Sequence, residues 1–189
     1  MMDRFFLGYF SVWIFLIPGC SSNTGNDNDH PGVFPSELVN FIPYENNPVF
    51  TGTGTNTWDQ RIRERGYILH EDGIYKMWYT GYAGQENAVR YLGYATSEDG
   101  YSWTRYPGNP IFDEYWTEDV HVVKHQGIYY MVAEGVDDVA HMLTSRDGIN
   151  WQRSGDLDIR KVNGEPIDPG AYGTPTLWIE DEKWFLFYE

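Results

Sequence analysis

The chain has 189 residues, enough for one ordinary domain. It carries 13 Lys and Arg against 28 Asp and Glu, a formal net charge of −15. That balance argues against nucleic acid or an anionic membrane surface as main partner, because gripping phosphates takes clustered cations. Aromatic residues make up 17% of the chain and include 8 Trp. Two readings fit that surplus: stacking on neutral sugar rings, or the aromatic richness of β-folds in general.

At the N-terminus, Arg4 precedes an apolar run over residues 5–17. The run is short for a bilayer span and is placed like the core of a signal peptide. It ends in Ile17-Pro18-Gly19-Cys20, which resembles the lipobox of bacterial lipoproteins, with Pro18 a departure from the usual small or hydroxyl residue. Cys20 is the only cysteine, so no intrachain disulfide competes for it. The resemblance implies a signal over residues 1–19, lipidation of Cys20 and, with Ser21 following, delivery to the outer membrane, the periplasm or the cell surface. Contact with the membrane is then expected only through that anchor. An uncleaved signal anchor and a plain secretory signal are the alternatives. Residues 20–40 are polar, lack apolar periodicity and read as a flexible tether. The folded part is expected over residues 41–189.

Within it, Tyr67-Ile68-Leu69-His70 predicts a strand, Asp72-Gly73 a turn and Ile74-Tyr75-Lys76-Met77-Trp78-Tyr79 a second strand. A third is expected over residues 90–97, a turn at Asp99-Gly100 and a fourth strand from Trp103. The order then repeats. Val120-His121-Val122-Val123 leads to a turn at Gln126-Gly127, then strands over 128–133 and 139–145, a turn at Asp147-Gly148 and a strand from Trp151. A third copy opens at Pro175-Thr176-Leu177-Trp178-Ile179 and turns at Asp181-Glu182. Gly73, Gly127 and Glu182 mark the same place in each copy, a period of about 54 residues. No longer segment has helical spacing with caps, apart from the signal.

Four strands with tight turns at this period predict an all-β fold, one β-propeller blade per copy. The chain then holds about two and a half blades, and a fragment of a longer protein is the expected explanation. The phrase Ser-x-Asp-Gly-x-x-Trp, at Ser97 and at Ser145, resembles the Asp-box of sialidases with one residue missing before the Gly. Turn chemistry accounts for Asp99 and Asp147 without a catalytic role.

Inner strands of a propeller converge on a central channel. The repeat superimposes Glu64-Arg65-Gly66 on Glu118-Asp119-Val120 and on Gly173-Thr174-Pro175 at its mouth. Candidate catalytic carboxylates are therefore Asp59, Glu64 and Asp119. Candidate substrate contacts are Trp58, Arg63, Arg65, Trp116, Glu118, His121 and Glu134, the last standing where Thr80 falls in the first copy. For each a structural reading competes: a core Trp, a strand-entrance carboxylate, a satisfied His, a salt bridge between Glu64 and its own arginines. Paired arginines also suit phosphate or a carboxylated sugar. The five His show no metal-ligand spacing, so neither metal nor cofactor is expected.

Asn-Pro-(Val/Ile)-Phe, Gly-x-Tyr-x-Met, Ala-Thr-Ser-x-Asp-Gly-x-x-Trp and Gly-Thr-Pro-Thr-Leu-Trp together resemble the five-bladed β-propeller glycosidases, namely glycoside hydrolase families 43, 32 and 130. That resemblance implies an oligo- or polysaccharide substrate and cleavage by two carboxyls, one protonating the leaving oxygen and one activating water or attacking carbon. Family 43 usually opens its first blade with Asp-Pro, where this chain has Arg65-Gly66. Only Asp119 occupies the expected column, and the acid of the family pattern comes from a later blade. A glycoside phosphorylase and a non-catalytic glycan- or protein-binding propeller are the alternative functions.

Overall fold

The computed structural model describes residues 41–63, 66–167 and 173–188. Residues 44–189 cluster as one compact unit, and the architecture below belongs to it. The signal, the tether, Cys20, Glu64 and Arg65 lie outside the described residues.

The expected strands are present. The first sheet holds β1 (Arg61–Ile62), β2 (Tyr67–Glu71), β3 (Ile74–Tyr82), β4 (Tyr91–Ser97) and β5 (Thr104–Arg105). The second holds β6 (Glu118–His125), β7 (Ile128–Glu134), β8 (Ala140–Ser145) and β9 (Trp151–Asp156) in chain order. A third, two-stranded sheet pairs β10 (Thr176–Glu180) with β11 (Lys183–Phe187). All pairings are antiparallel between strands that are neighbours in each sheet. These are two four-stranded propeller blades and the first hairpin of a third. The described helical structure is one 3-10 turn, Val136–Asp138.

β1 was not foreseen. It pairs Ile62 with Gly81 while β2 pairs Tyr67 with Trp78, and β4 takes the other edge of β3. β1 and β2 are therefore one inner strand with a break between them. Two residues carry no periodicity, so only the length of β3 reveals β1.

Each first hairpin turns in two residues, with positive φ at both. The pairs are Asp72 and Gly73 (53° and 78°), Gln126 and Gly127 (49° and 79°), and Asp181 and Glu182 (50° and 60°). This is the turn whose twist matches paired strands. Glu182 holds the glycine position in the third copy, a left-handed conformation that costs a side-chain-bearing residue about 1 kcal/mol.

Blades one and two share the core. Trp78, Leu92, Tyr94 and Phe112 of the first pack on Val120, Val122, Tyr129, Met131, Leu143 and Trp151 of the second. Trp78 is fully buried, and its indole N–H donates to the Gly148 carbonyl at 2.7 Å. The Trp151 indole donates to the same oxygen at 2.9 Å. The turn that presents it is built twice in the same way. Ser97 Oγ accepts from Gly100 N at 2.8 Å, and Asp99 Oδ1 accepts from Tyr101 N and Ser102 N at 2.8 and 2.7 Å. Ser145 Oγ accepts from Gly148 N at 2.9 Å, and Asp147 Oδ1 accepts from Ile149 N and Asn150 N at 2.9 and 2.7 Å. The phrase is thus a turn that also carries an inter-blade contact.

At the same end of that interface, Glu71 accepts from Lys76 Nζ (2.9 Å), Lys124 Nζ (2.8 Å) and Tyr129 OH (2.5 Å). Burial alone would raise the Glu71 carboxyl, but the bonds from Lys124, Tyr129 and Lys76 outweigh it and hold its pKa at about 2. On the third hairpin Trp178, Phe185 and Phe187 are exposed.

Candidate active site

Three inner strands begin at one place. A cavity of about 290 Å³ is lined by residues 66–67 of the first blade, 119–121 of the second and 174–176 of the third. This is the column that the repeat superimposes. Asp119 and Thr174 occupy equivalent positions, and both hold left-handed backbone, φ 49° and 56°. β6 is correspondingly irregular: its register with β7 shifts between Glu118 and His121. A bulge at the start of a strand re-aims the side chain there. Strained backbone of this kind persists where the surroundings enforce it.

His121 and Tyr67 meet in this cavity with ring centroids 4.5 Å apart. Leu177 N donates to His121 Nδ1 at 3.3 Å. That bond requires the neutral ring with its proton on Nε2, and burial independently lowers the His121 pKa. Tyr67, His121 and Thr176 also line an adjoining cavity of about 430 Å³ along the same strands.

Glu118 is buried and anchors a charged cluster beside the cavity. Trp116 Nε1 donates to its Oε1 at 2.8 Å, and Arg63 Nε lies 2.8 Å from its Oε2. Arg90 Nε stands 3.7 Å from the same oxygen, its guanidinium over the rings of Trp116 and Tyr82 at 4.7 and 4.5 Å. Thus Arg63, a candidate substrate contact, is ion-paired across the blade interface. Trp116 is half-buried and binds Glu118.

Glu134 stands opposite Glu118 in the β6–β7 ladder. A Cβ added at Gly173 would fall 1.9 Å from Glu134 Oε2, so a side chain there would displace the Glu134 carboxyl. Burial, a hydrogen bond with Asp138 and the charges of Glu118, Asp119 and Asp138 push the Glu134 carboxyl up to about 7. The sequence reading missed Asp138, Arg90 and Tyr67. Asp138 could have been suspected from Glu134-Gly135-Val136-Asp137-Asp138, an acidic turn following a candidate carboxylate. Nothing in the sequence ties Arg90 to Glu118.

Asp59 and Trp58 lie elsewhere. Asp59 is buried, with Arg105 Nε 2.9 Å and Tyr79 OH 3.1 Å from Oδ2, and Thr57 Oγ1 donating to Oδ1 at 3.1 Å. Trp58 stacks on Tyr79 at 5.8 Å. Side chains alternate across β3. Tyr79 and Gly81 meet Asp59 on one face, whereas Thr80, on the other, donates to the Thr117 carbonyl at 3.2 Å. The first sheet therefore separates Asp59 from the Glu118 cluster. Its carboxylate holds the outer strand β5 to the segment before β1.

The fold is that of the β-propeller glycosidases. A crystal structure of a glycosyl hydrolase from Bacteroides ovatus superposes with a TM-score of 0.63 at 19% identity, covering 77% of this chain and 52% of that one. A sucrose-6-phosphate hydrolase from Lactobacillus gasseri gives 0.53 at 21% identity, covering 71% of this chain and 29% of that one. In sequence, the chain is 26% identical over 158 residues to a 1,2-beta-oligomannan phosphorylase of Thermoanaerobacter sp., covering 70% of this chain and 53% of the relative. The chain thus spans about half the length of the Bacteroides ovatus hydrolase and of the Thermoanaerobacter phosphorylase. No family model matches it.

Proposed function

We propose that this chain contributes the channel-mouth carboxyls of an exported carbohydrate-active enzyme that cleaves glycosidic bonds, with Asp119 central to the reaction. The observation that carries this reading is the position of Asp119: on enforced left-handed backbone, in a cavity lined by the inner-strand starts of all three blades. Acid–base cleavage of a glycoside needs a carboxyl that can hand a proton to the leaving oxygen. Beside Asp119, burial, a hydrogen bond with Asp138 and the charges of Glu118, Asp119 and Asp138 push the Glu134 carboxyl up to about 7. Tyr67 and the His121 Nε2–H supply an aromatic wall and a donor for sugar hydroxyls.

Hydrolysis is the first reading. Phosphorolysis is the second, favoured by the similarity to an oligomannan phosphorylase. The test is release of reducing sugar from a panel of oligosaccharides, β-1,2-linked mannosides included, with and without inorganic phosphate. Release by the wild type, lowered at least about 100-fold in Asp119→Asn, supports the assignment. Release only with phosphate selects the phosphorylase, and binding without release selects the non-catalytic propeller. Export as a lipoprotein rests on the lipobox-like segment ending at Cys20. Incorporation of labelled palmitate, lost in Cys20→Ala, checks it.

A further inference from the structure

Blades one and two are built differently where they meet the mouth of the channel. β1 and β6 begin there, so β3 and β7, which pair with them, end there. The connection after β3 runs over residues 83–90, whereas the one after β7 takes only residues 135–139. The longer loop folds around Arg90, a cation only 6% exposed. Arg90 Nη1 donates to the Ala88 carbonyl and Nη2 to the Glu86 carbonyl, the latter at 2.9 Å. The same guanidinium lies over the ring of Tyr82, at the end of β3, and over that of Trp116, in the segment leading to β6. Its Nε stands 3.7 Å from Glu118 Oε2, and the Arg90 carbonyl accepts from Thr117 N at 3.1 Å. Seven residues before Ser97 stands Arg90; seven before Ser145, the matching residue of blade two, stands the exposed Asp138. A blade therefore closes without a buried cation at this point. Burying a guanidinium is costly, so its presence here calls for a reason beyond the fold.

We propose that Arg90 is a positioning residue that ties the loop over residues 83–90 to Trp116, presenting both as one preorganised wall to a glycan at the mouth. This rests on the functional reading above. The exposed Gln85, Glu86 and Asn87 and the half-buried Trp116 are the groups that meet the sugar, while Arg90 stays beneath them. A guanidinium suits the task because it is planar. It fits between two rings while its edge donates to two carbonyls, which a Lys ammonium does not do. Long loops on a rigid scaffold commonly carry recognition, and one ordered in advance spares the ligand the cost of ordering it. The effect of Arg90 therefore falls on substrate binding rather than on the bond-breaking step.

Two variants of the full chain test this: Arg90→Lys, and Trp116→Leu, which removes one ring from the stack without burying a Lys. Digestion with a Glu-specific protease reads the loop without reference to activity. Cleavage after Glu86, followed by fragment mass, is expected to be at least about 10-fold faster in either variant than in the wild type. Cleavage after Glu98, exposed on the turn at the other end of the blade, serves as the control and should not change. An unchanged rate after Glu86 overturns the proposal. Equal acceleration at both sites does so too, because Arg90 then merely supports the fold. Kinetics on an oligosaccharide that the wild type cleaves test the role in binding. Both variants should raise KM about 10-fold and leave kcat within about twofold. A fall in kcat at unchanged KM is what a smaller folded fraction gives, and it overturns that role. If the wild type cleaves no oligosaccharide while the variants still loosen the loop, the functional reading falls, and the role in binding with it; the tie between loop and Trp116 stands.

Discussion

Glu118 and Glu134 stand directly opposite each other on β6 and β7, and Glu118 is ion-paired with Arg63 and lies 3.7 Å from Arg90. Arg63 reaches Glu118 from the neighbouring blade at 2.8 Å, and Trp116 donates to its other oxygen. Burial, first, and then the neighbouring carboxyls, Glu118 among them, raise the Glu134 carboxyl to about 7.

The raised Glu134 carboxyl has a signature in stability. The folded state raises the Glu134 carboxyl from 4.5 to about 7. Below pH 4.5 the group is protonated whether the chain is folded or not, and the folded state loses nothing. As pH rises to 7 the unfolded chain ionises first, so stability falls, and above 7 the loss is complete. Glu134→Gln should therefore match the wild type near pH 4 and be the more stable of the two at pH 8. Urea unfolding at both values measures the gap, and a gap of equal size at both would refute the linkage.

Glu71 should behave in the opposite sense. Its carboxyl is held at about 2, so its contribution is present above the ordinary 4.5 and is lost as pH falls through 2. Glu71→Gln is expected to cost about 1 kcal/mol at pH 7, allowing for solvent screening at this partly open rim. The loss should shrink steadily below pH 4.5. Denaturant midpoints at pH 7 and pH 3 provide the comparison.

The Trp78–Gly148 contact joins two blades through a single carbonyl. Trp78→Phe keeps most of the buried ring but gives up the donor, for a loss of roughly 2 kcal/mol. Trp78→Ala opens a cavity at the blade interface and should cost roughly 4 kcal/mol. A thermal melt in which Trp78→Ala matches the wild type would show that the blades do not depend on this shared core.

Asp147 ties its turn together by accepting from Ile149 N and Asn150 N. Burial works against its charge, but the bonds from Asn150, Ile149 and Ser145 prevail and its pKa lies well below the usual carboxylate range. Asp147→Ala should cost about 1 kcal/mol and leave glycoside cleavage unchanged. Asp99→Ala should act in the same direction through the matching turn. Loss of cleavage in a folded Asp147 variant would show that the turn does more than present Gly148.

Much of the fold was legible because its units repeat. A two-residue turn flanked by alternating aromatic and β-branched residues is a local signal, and three copies of it set the blade boundaries. The mouth of the channel was legible for the same reason, since the repeat aligned Asp119 with Thr174 before their shared backbone conformation was visible. Asp59 shows where such reasoning stops. Its position a few residues before the inner strand suggested the channel, but the alternation along β3 puts it on the far face with Arg105 and Tyr79.

The sequence by itself determined the blade, its turns and the column at which inner strands begin, because those depend on contacts between residues close along the chain. Tertiary structure decided that Glu118 is the carboxyl paired with Arg63 and that Glu134 is the one pushed up by burial. Arg63, Glu118, Glu134 and Gly173 come from three blades, and no local pattern links them. Ionisation responds to distance and burial in three dimensions, and only the packing of one blade against the next sets those.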